Sequence, residues 1–112
     1  MKLPNGESAV VDIQKLTDYC LDPHHPHGRN KARVFASALG LLRQHAEFLR
    51  QDLLRAAATR EAIPGESDEY GARYVIDFDI SWQGRQAPVR SAWIILRNET
   101  LPRLTTCYVL SK

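Results

Sequence analysis

From Tyr74 to Trp82 the chain alternates without a break: Tyr74, Ile76, Phe78, Ile80 and Trp82 fall on one side, Asp77, Asp79 and Ser81 on the other. A period of two is that of a strand with one face in a core and one in water, and a helix cannot bury such a pattern. This strand needs neighbours along both edges and a cover for its apolar face. The C-terminal residues supply the pairing. Gln83-Gly84-Arg85-Gln86 carries hairpin-turn chemistry into a second strand, about 87–97, and residues 98–102 turn into a third, 103–110.

With the first turn centred on Gly84-Arg85, Phe78 faces Ser91 and Arg90 faces Asp79. Continuing the parity through the second turn pairs Arg97 with Arg103, sends Thr105, Cys107 and Val109 to the core, and leaves Thr106 and Tyr108 beside Arg90. The wet face then gathers Asp77, Asp79, Arg90, Thr106 and Tyr108 across three strands. Trp82 and Trp93 belong to the apolar face and read as core residues.

The cover comes from the first half of the chain. Asp12 is a good N-cap for a short helix over 13–21, in which Ile13, Leu16 and Cys20 share a side, and Asp22-Pro23 stops it. Residues 29–39 repeat at helical spacing, with Ala32, Phe35, Ala36 and Leu39 inward, Arg29, Asn30, Arg33 and Ser37 outward, and Lys31 at the apolar margin. Gly40 is a natural C-cap, and 42–59 is a longer helix with Ala46, Leu49, Leu53 and Ala56 inward. Residues 63–71, IPGESDEYG, have the composition of a loop. The expected fold is α+β: two or three N-terminal helices packed on one face of a three- to four-stranded antiparallel β-meander. A chain of 112 residues closes one core, so residues 1–112 are expected to form a single domain, 1–60 mainly helical and 73–111 sheet.

Between the first two helices lies the densest chemistry in the chain, Asp22-Pro23-His24-His25-Pro26-His27-Gly28-Arg29-Asn30-Lys31-Ala32-Arg33. Three imidazoles on a stiff turn are followed by cations in the first turns of a helix. The formal net charge is only +2, so any affinity for phosphate has to come from such local clustering. The histidines lack the HxxxH or HxxE spacing of a helical metal site and no carboxylate or cysteine completes them, so neither a metal nor a cofactor is expected. There is no GxSxG elbow. Cys20 and Cys107 read as buried free thiols. No apolar run approaches a signal peptide or a membrane span, which gives a cytoplasmic expectation.

Metal-free RNA cleavage makes demands this residue set can meet. The ribose 2′-hydroxyl is the nucleophile, so the protein has to take its proton, protonate the leaving 5′-oxygen and stabilise the charged phosphorane. Histidine suits both proton roles, Arg and Lys suit the charge, and Tyr and Thr hydroxyls can donate. The candidate catalytic residues are therefore His25, Lys31, Arg90, Thr106 and Tyr108. His27, Arg29, Arg33 and Arg103 are the candidate substrate-binding residues, with RNA as the expected ligand.

The run HPHGRNKARVFASALG, the opening KLPNGESAVVDIQKLTDYCLD and the ending VRSAWIIL…PRLTTCYVL resemble a small bacterial domain found alone and at the ends of polymorphic toxins. The likeness covers nearly the whole chain. The order of helices then meander also resembles the barnase/EndoU/RelE-like ribonuclease superfamily, in which helices pack on one sheet face and RNA is cut on the other. The resemblance implies a metal-independent endoribonuclease toxin in which His25, Gly28, Lys31, Arg33, Arg90, Thr106 and Tyr108 fill polar functional positions. It also implies a cognate antitoxin or immunity protein. The rival reading is a non-enzymatic protein-interaction module of a two-gene system, with the His/Pro turn serving structure and the polar sheet face recognising a protein. Oligomeric state is not read from the sequence.

Overall fold

The computed structural model describes residues 1–110. Its elements are helices α1 (Ile13–Lys15), α2 (Arg29–Leu39) and α3 (Ala46–Thr59), then strands β1 (Ile63–Ser67), β2 (Gly71–Trp82), β3 (Arg85–Leu96) and β4 (Arg103–Val109). The strands form one antiparallel sheet in the order β1-β2-β3-β4, so the α+β class and the meander are as expected. The expected sheet boundary at Ser111 lies outside the described residues. One apolar cluster joins Phe35 and Leu39 of α2 and Leu49 and Leu53 of α3 to Ile76, Val89 and Trp93 of the sheet.

Helix α2 has the bounds its spacing predicts, and Gly40 closes it at φ 72°, with Gly40 N–H donating to Ala36 O and Leu41 N–H to Phe35 O. The other two helices need correction. The single helix expected over 13–21 is one α-turn capped by the Asp12 side chain, widening into a π-turn at Leu16–Cys20 in which Leu21 N–H reaches back to Leu16 O. The helix expected over 42–59 begins with a 3₁₀ turn at Arg43–His45 before α3 proper.

The stretch 63–71, expected as loop, contributes strand β1. Its residues are all exposed, and it is held by the backbone pairs Ile63 with Val75 and Pro64 with Tyr74, followed by a bulge before Ser67. An edge strand tolerates Pro64 because one of its sides needs no donor. Such a strand carries no alternation, since neither of its faces meets the core.

The β2–β3 register also differs from the expectation by two residues. The hairpin turns on Gln83 and Gly84, both at positive φ (49° and 83°), so Trp82 pairs with Arg85, Phe78 with Val89 and Ile76 with Ser91. A shift of two keeps every side chain on its face but changes its neighbour: Arg90 lies opposite Asp77, while Asp79 faces Pro88. In the next hairpin Ile94 pairs with Arg103, a bulge follows Trp93, and Arg90 then pairs with Tyr108. The bulge removes Thr105 from the core face: it is half-buried and its hydroxyl donates to Ala92 O at 3.1 Å. Leu104 takes the buried place instead.

The outer edge of β4 is partly covered by the N-terminal segment. Val10 N–H donates to Pro102 O at 2.8 Å and Leu104 N–H donates to Val10 O at 3.0 Å. This brings the start of the chain, and with it the π-turn, alongside the last strand.

Candidate functional site

The His/Pro turn builds itself from its own side chains. Asp22 Oδ1 accepts the His24 N–H at 2.9 Å, and His25 Nδ1 accepts both the His27 and the Gly28 N–H at 3.0 Å. Both N–H groups belong to the residues just ahead of α2, so the His25 ring fixes the approach to the helix. With Nδ1 accepting, the neutral ring carries its hydrogen on Nε2. Its Nδ1 is thereby already engaged as an acceptor. Among the described residues no hydrogen bond engages the His27 ring.

Gly28 is required by proximity. A Cβ built on it would lie 2.1 Å from Tyr19 O and 3.0 Å from Tyr19 Cδ1. The first turn of α2 therefore rests directly on Tyr19, the residue that the π-turn presents there. The Tyr19 ring meets the His25 ring edge-on at 5.0 Å and 74°. The Lys31 ammonium lies 5.2 Å from the centroid of the same Tyr19 ring and 5.8 Å from that of Tyr108 on β4. Two cation–π contacts thus hold Lys31 between the turn and the sheet.

Beside Tyr108, Arg90 makes a bidentate ion pair with Asp77, Nε to Oδ1 and Nη2 to Oδ2, both at 2.9 Å. The Arg90 guanidinium holds the Asp77 carboxyl below the usual carboxylate range, and Asp77, with a smaller contribution from Tyr108, raises the Arg90 pKa further. Behind this face Thr106 Oγ1 lies 3.8 Å from Cys20 Sγ. Cys20 and Cys107 are both buried and free. Hydrogen bonding from Cys107 brings the Cys20 thiol down to about 7 against the opposing effect of burial, with Thr106 and Lys31 assisting, while Cys107 is pushed up.

Tyr19 thus joins His25 to Lys31 and Tyr108 joins Lys31 to Arg90, the His27 ring lies 5.9 Å from that of His25, and the Thr106 hydroxyl is beside Cys20. His25 and His27 also line an open depression of about 690 Å³ with Tyr19, Asp12, Asp18 and Thr105. The other three candidate substrate-binding residues lie elsewhere. Arg29 and Arg33 line a separate groove with Leu41 and Leu42, and Arg33 donates to Asn30 Oδ1. Arg103, about 16 Å along β4 from Tyr108 at about 3.3 Å per residue, is paired with Glu99 at 2.7 Å. Sequence reasoning misses two members. Tyr19 is turned toward Lys31 by a π-turn that leaves no mark in the residue pattern, and Asp77 is placed on the right face but not matched to Arg90. Among the described residues no three His, Cys, Asp or Glu side chains converge as a metal site, and no helix is long and apolar enough to cross a membrane.

The chain belongs to the family described as Domain of unknown function (DUF6883), whose model matches residues 2–111. No curated protein matches it. Among solved structures it is similar to a chain of the contact-dependent growth inhibition toxin - immunity protein complex from Klebsiella pneumoniae 342, with a TM-score of 0.70 and 14% sequence identity over 91% of this chain and 100% of that one. At that identity the likeness is one of fold.

Proposed function

We propose that this DUF6883 domain is the effector half of a toxin–immunity pair and that it cleaves RNA without a metal, by attack of the ribose 2′-hydroxyl on the adjacent phosphate. The observation that carries this reading is the placement of Lys31 between Tyr19 and Tyr108, one strand away from Arg90. The helices cover the apolar side of the sheet in this reading and leave the polar side open to substrate. Support for the pair comes from the fold shared with a toxin–immunity complex.

In the reaction a bond forms between O2′ and phosphorus while the bond to O5′ breaks, leaving a 2′,3′-cyclic phosphate and a 5′-hydroxyl. Lys31 and Arg90 offset the charge that builds on the phosphorane oxygens. His27, whose ring has no hydrogen-bond partner among the described residues, takes the 2′-proton, and the Tyr108 hydroxyl protonates the leaving 5′-oxygen. His25 supports the site through its cap and offers Nε2–H to a phosphate oxygen.

The test is cleavage of a panel of RNAs by purified protein in EDTA, comparing wild type with Lys31→Met, which keeps the apolar stem and removes the charge. The expected result is cleavage by wild type and at least a 100-fold loss in the variant at unchanged melting temperature. RNA left intact by the wild type across pH 5–9, or cut equally by both, removes the reading.

A second reading has its own observation. His25 Nδ1 is committed to backbone N–H groups and Arg90 to Asp77, so two of the candidate catalytic side chains already serve the fold. In that case the polar sheet face recognises a protein. Intact RNA together with a stable complex with the product of an adjacent gene is its signature.

A further inference from the structure

Arg29 and Arg33, which stand apart from the Lys31 cluster, define a second surface. By helix geometry Lys31 leaves α2 roughly 160–200° around the axis from Arg29 and Arg33, so the two groups address opposite sides of the helix. On the Arg29 side lies a groove of about 840 Å³ between α2 and the 41–44 segment. Its lining carries Arg29, Arg33, Arg43 and His24, and its aliphatic part is Leu42 and Ala36, with Leu21 and Leu41 buried behind them. Among the described residues no carboxylate lines it, although Asp and Glu make up 13 residues of the chain against 15 Lys and Arg. Two acids stand beside it without lining it: Asp18 pairs with Arg43 at 3.0 Å, and Asp22 accepts the His24 N–H at 2.9 Å. Arg29 has no acidic partner among the described residues, and Leu42 leaves 45% of its surface in water at the mouth.

We infer that this groove is a docking site for an acidic, leucine-bearing segment of a partner protein, an aliphatic anchor seated on Leu42 and Ala36 with carboxylates reaching the arginines. The choice of a peptide over a nucleic acid rests on the lining. Proteins that hold single-stranded nucleic acid combine cations with aromatic platforms for the bases, and among the described residues no Phe, Tyr or Trp lines this groove, His24 being its one aromatic ring. The volume suits a short peptide segment, and the guanidinium groups of Arg29 and Arg33 beside an apolar surface recognise carboxylates by bidentate hydrogen bonds in a partly dry setting. Because the groove and the Lys31 cluster lie on different sides of α2, the inference does not depend on RNA cleavage, and a partner held here leaves Lys31 and Tyr108 uncovered.

The experiment is titration of the full chain with a fluorescent twelve-residue amphipathic peptide carrying leucines at i, i+4 and i+7 flanked by Glu and Asp, with a Lys-substituted copy as control. The expected result is saturable binding of the acidic peptide at least tenfold tighter than the Lys copy and weakening with salt. Arg29→Glu/Arg33→Glu and, separately, Leu42→Asp should each lose tenfold or more, and Lys31→Met should leave binding unchanged. All three groove positions change exposed side chains, and melting temperatures verify that the variants fold. Equal affinity for both peptides, or indifference to Arg29→Glu/Arg33→Glu, overturns the inference. So does a single-stranded RNA that binds tighter than the peptide and is displaced by the same groove variants, which would assign the groove to nucleic acid.

Discussion

Arg90 and Asp77 face one another across β2 and β3 and share two hydrogen bonds of 2.9 Å, which fix the plane of the guanidinium beside Tyr108. Both side chains are more than a third exposed, so the pair contributes little to stability, about 0–1 kcal/mol. Its larger effect is on orientation. Asp77→Asn should leave the melting temperature within a few degrees of wild type and slow RNA cleavage by about tenfold as Arg90 loses its fixed geometry. Arg90→Lys keeps the charge but loses the fork and should cost more. Single-turnover rates for the two variants make the comparison.

The same pair sets a pH dependence. Asp77 is held below its ordinary range, as are Asp68 by the Tyr70 N–H and Arg73, and Glu99 by Arg103. For a carboxyl whose folded pKa is depressed, the stabilisation is fully present above the unfolded value, about 4, and disappears as pH falls through the folded one. Urea midpoints should therefore be level from pH 7 to about 5 and decline below about 4, with a shallower decline in Asp77→Asn. A midpoint that rises on acidification contradicts the assignment.

How much of the molecule was legible in the sequence depends on where each residue's energy lies. The α2 bounds and the faces of β2 and β3 could be read because burial imposes a period, and Phe35, Ile76 and Val89 obey it. The partner of Arg90 could not, because the turn moved by one position and the register by two, a change that parity alone does not detect. Strand β1 escaped because its stability lies in backbone pairing to an edge. At the site, Lys31 was marked by being out of place on an apolar margin, whereas Tyr19 depends on a π-turn, and the role of His25 depends on which nitrogen faces the backbone.

That nitrogen separates cap from catalyst. His25→Ala leaves the His27 and Gly28 N–H groups without their acceptor and should cost about 1–2 kcal/mol. An asparagine at the same place offers an acceptor oxygen at similar reach, so His25→Asn should recover most of that stability. If the ring serves chiefly as a cap, His25→Asn also keeps most of the cleavage rate, while His27→Ala loses most of it. A stable His25→Asn with no activity would return the proton-transfer role to His25.

Inside the sheet a short relay of polar groups is fully paired: Trp93 Nε1 donates to Ser91 Oγ at 2.9 Å and Ser91 Oγ donates to Ile76 O at 2.8 Å, all buried. Ser91→Ala leaves the indole N–H without an acceptor and should cost about 1–3 kcal/mol. Trp82 offers the contrast, since its Nε1 is buried with no partner among the described residues while its ring meets those of His45 and Phe48 at a tilt, with centroids 5.0 and 4.3 Å away. Trp82→Phe removes that unpaired donor and keeps an aromatic ring, so its cost should be clearly the smaller of the two by thermal or urea melts.

Gly28 links the fold to the candidate site without contributing a functional group. It permits α2 to start against Tyr19, and that contact brings Lys31 over the Tyr19 ring. In Gly28→Ala the added carbon would fall 2.1 Å from a backbone oxygen, which cannot yield as a side-chain tip can, so the helix start has to move. Overpacking of this kind costs about 1–3 kcal/mol, and a displaced α2 carries Lys31 away from Tyr108. The variant should melt several degrees below wild type and lose cleavage at temperatures where it remains folded, although every candidate side chain is intact. Retained full activity in folded Gly28→Ala would show that Lys31 does not need the Tyr19 contact, and would shift the weight of the site onto Arg90 and Tyr108.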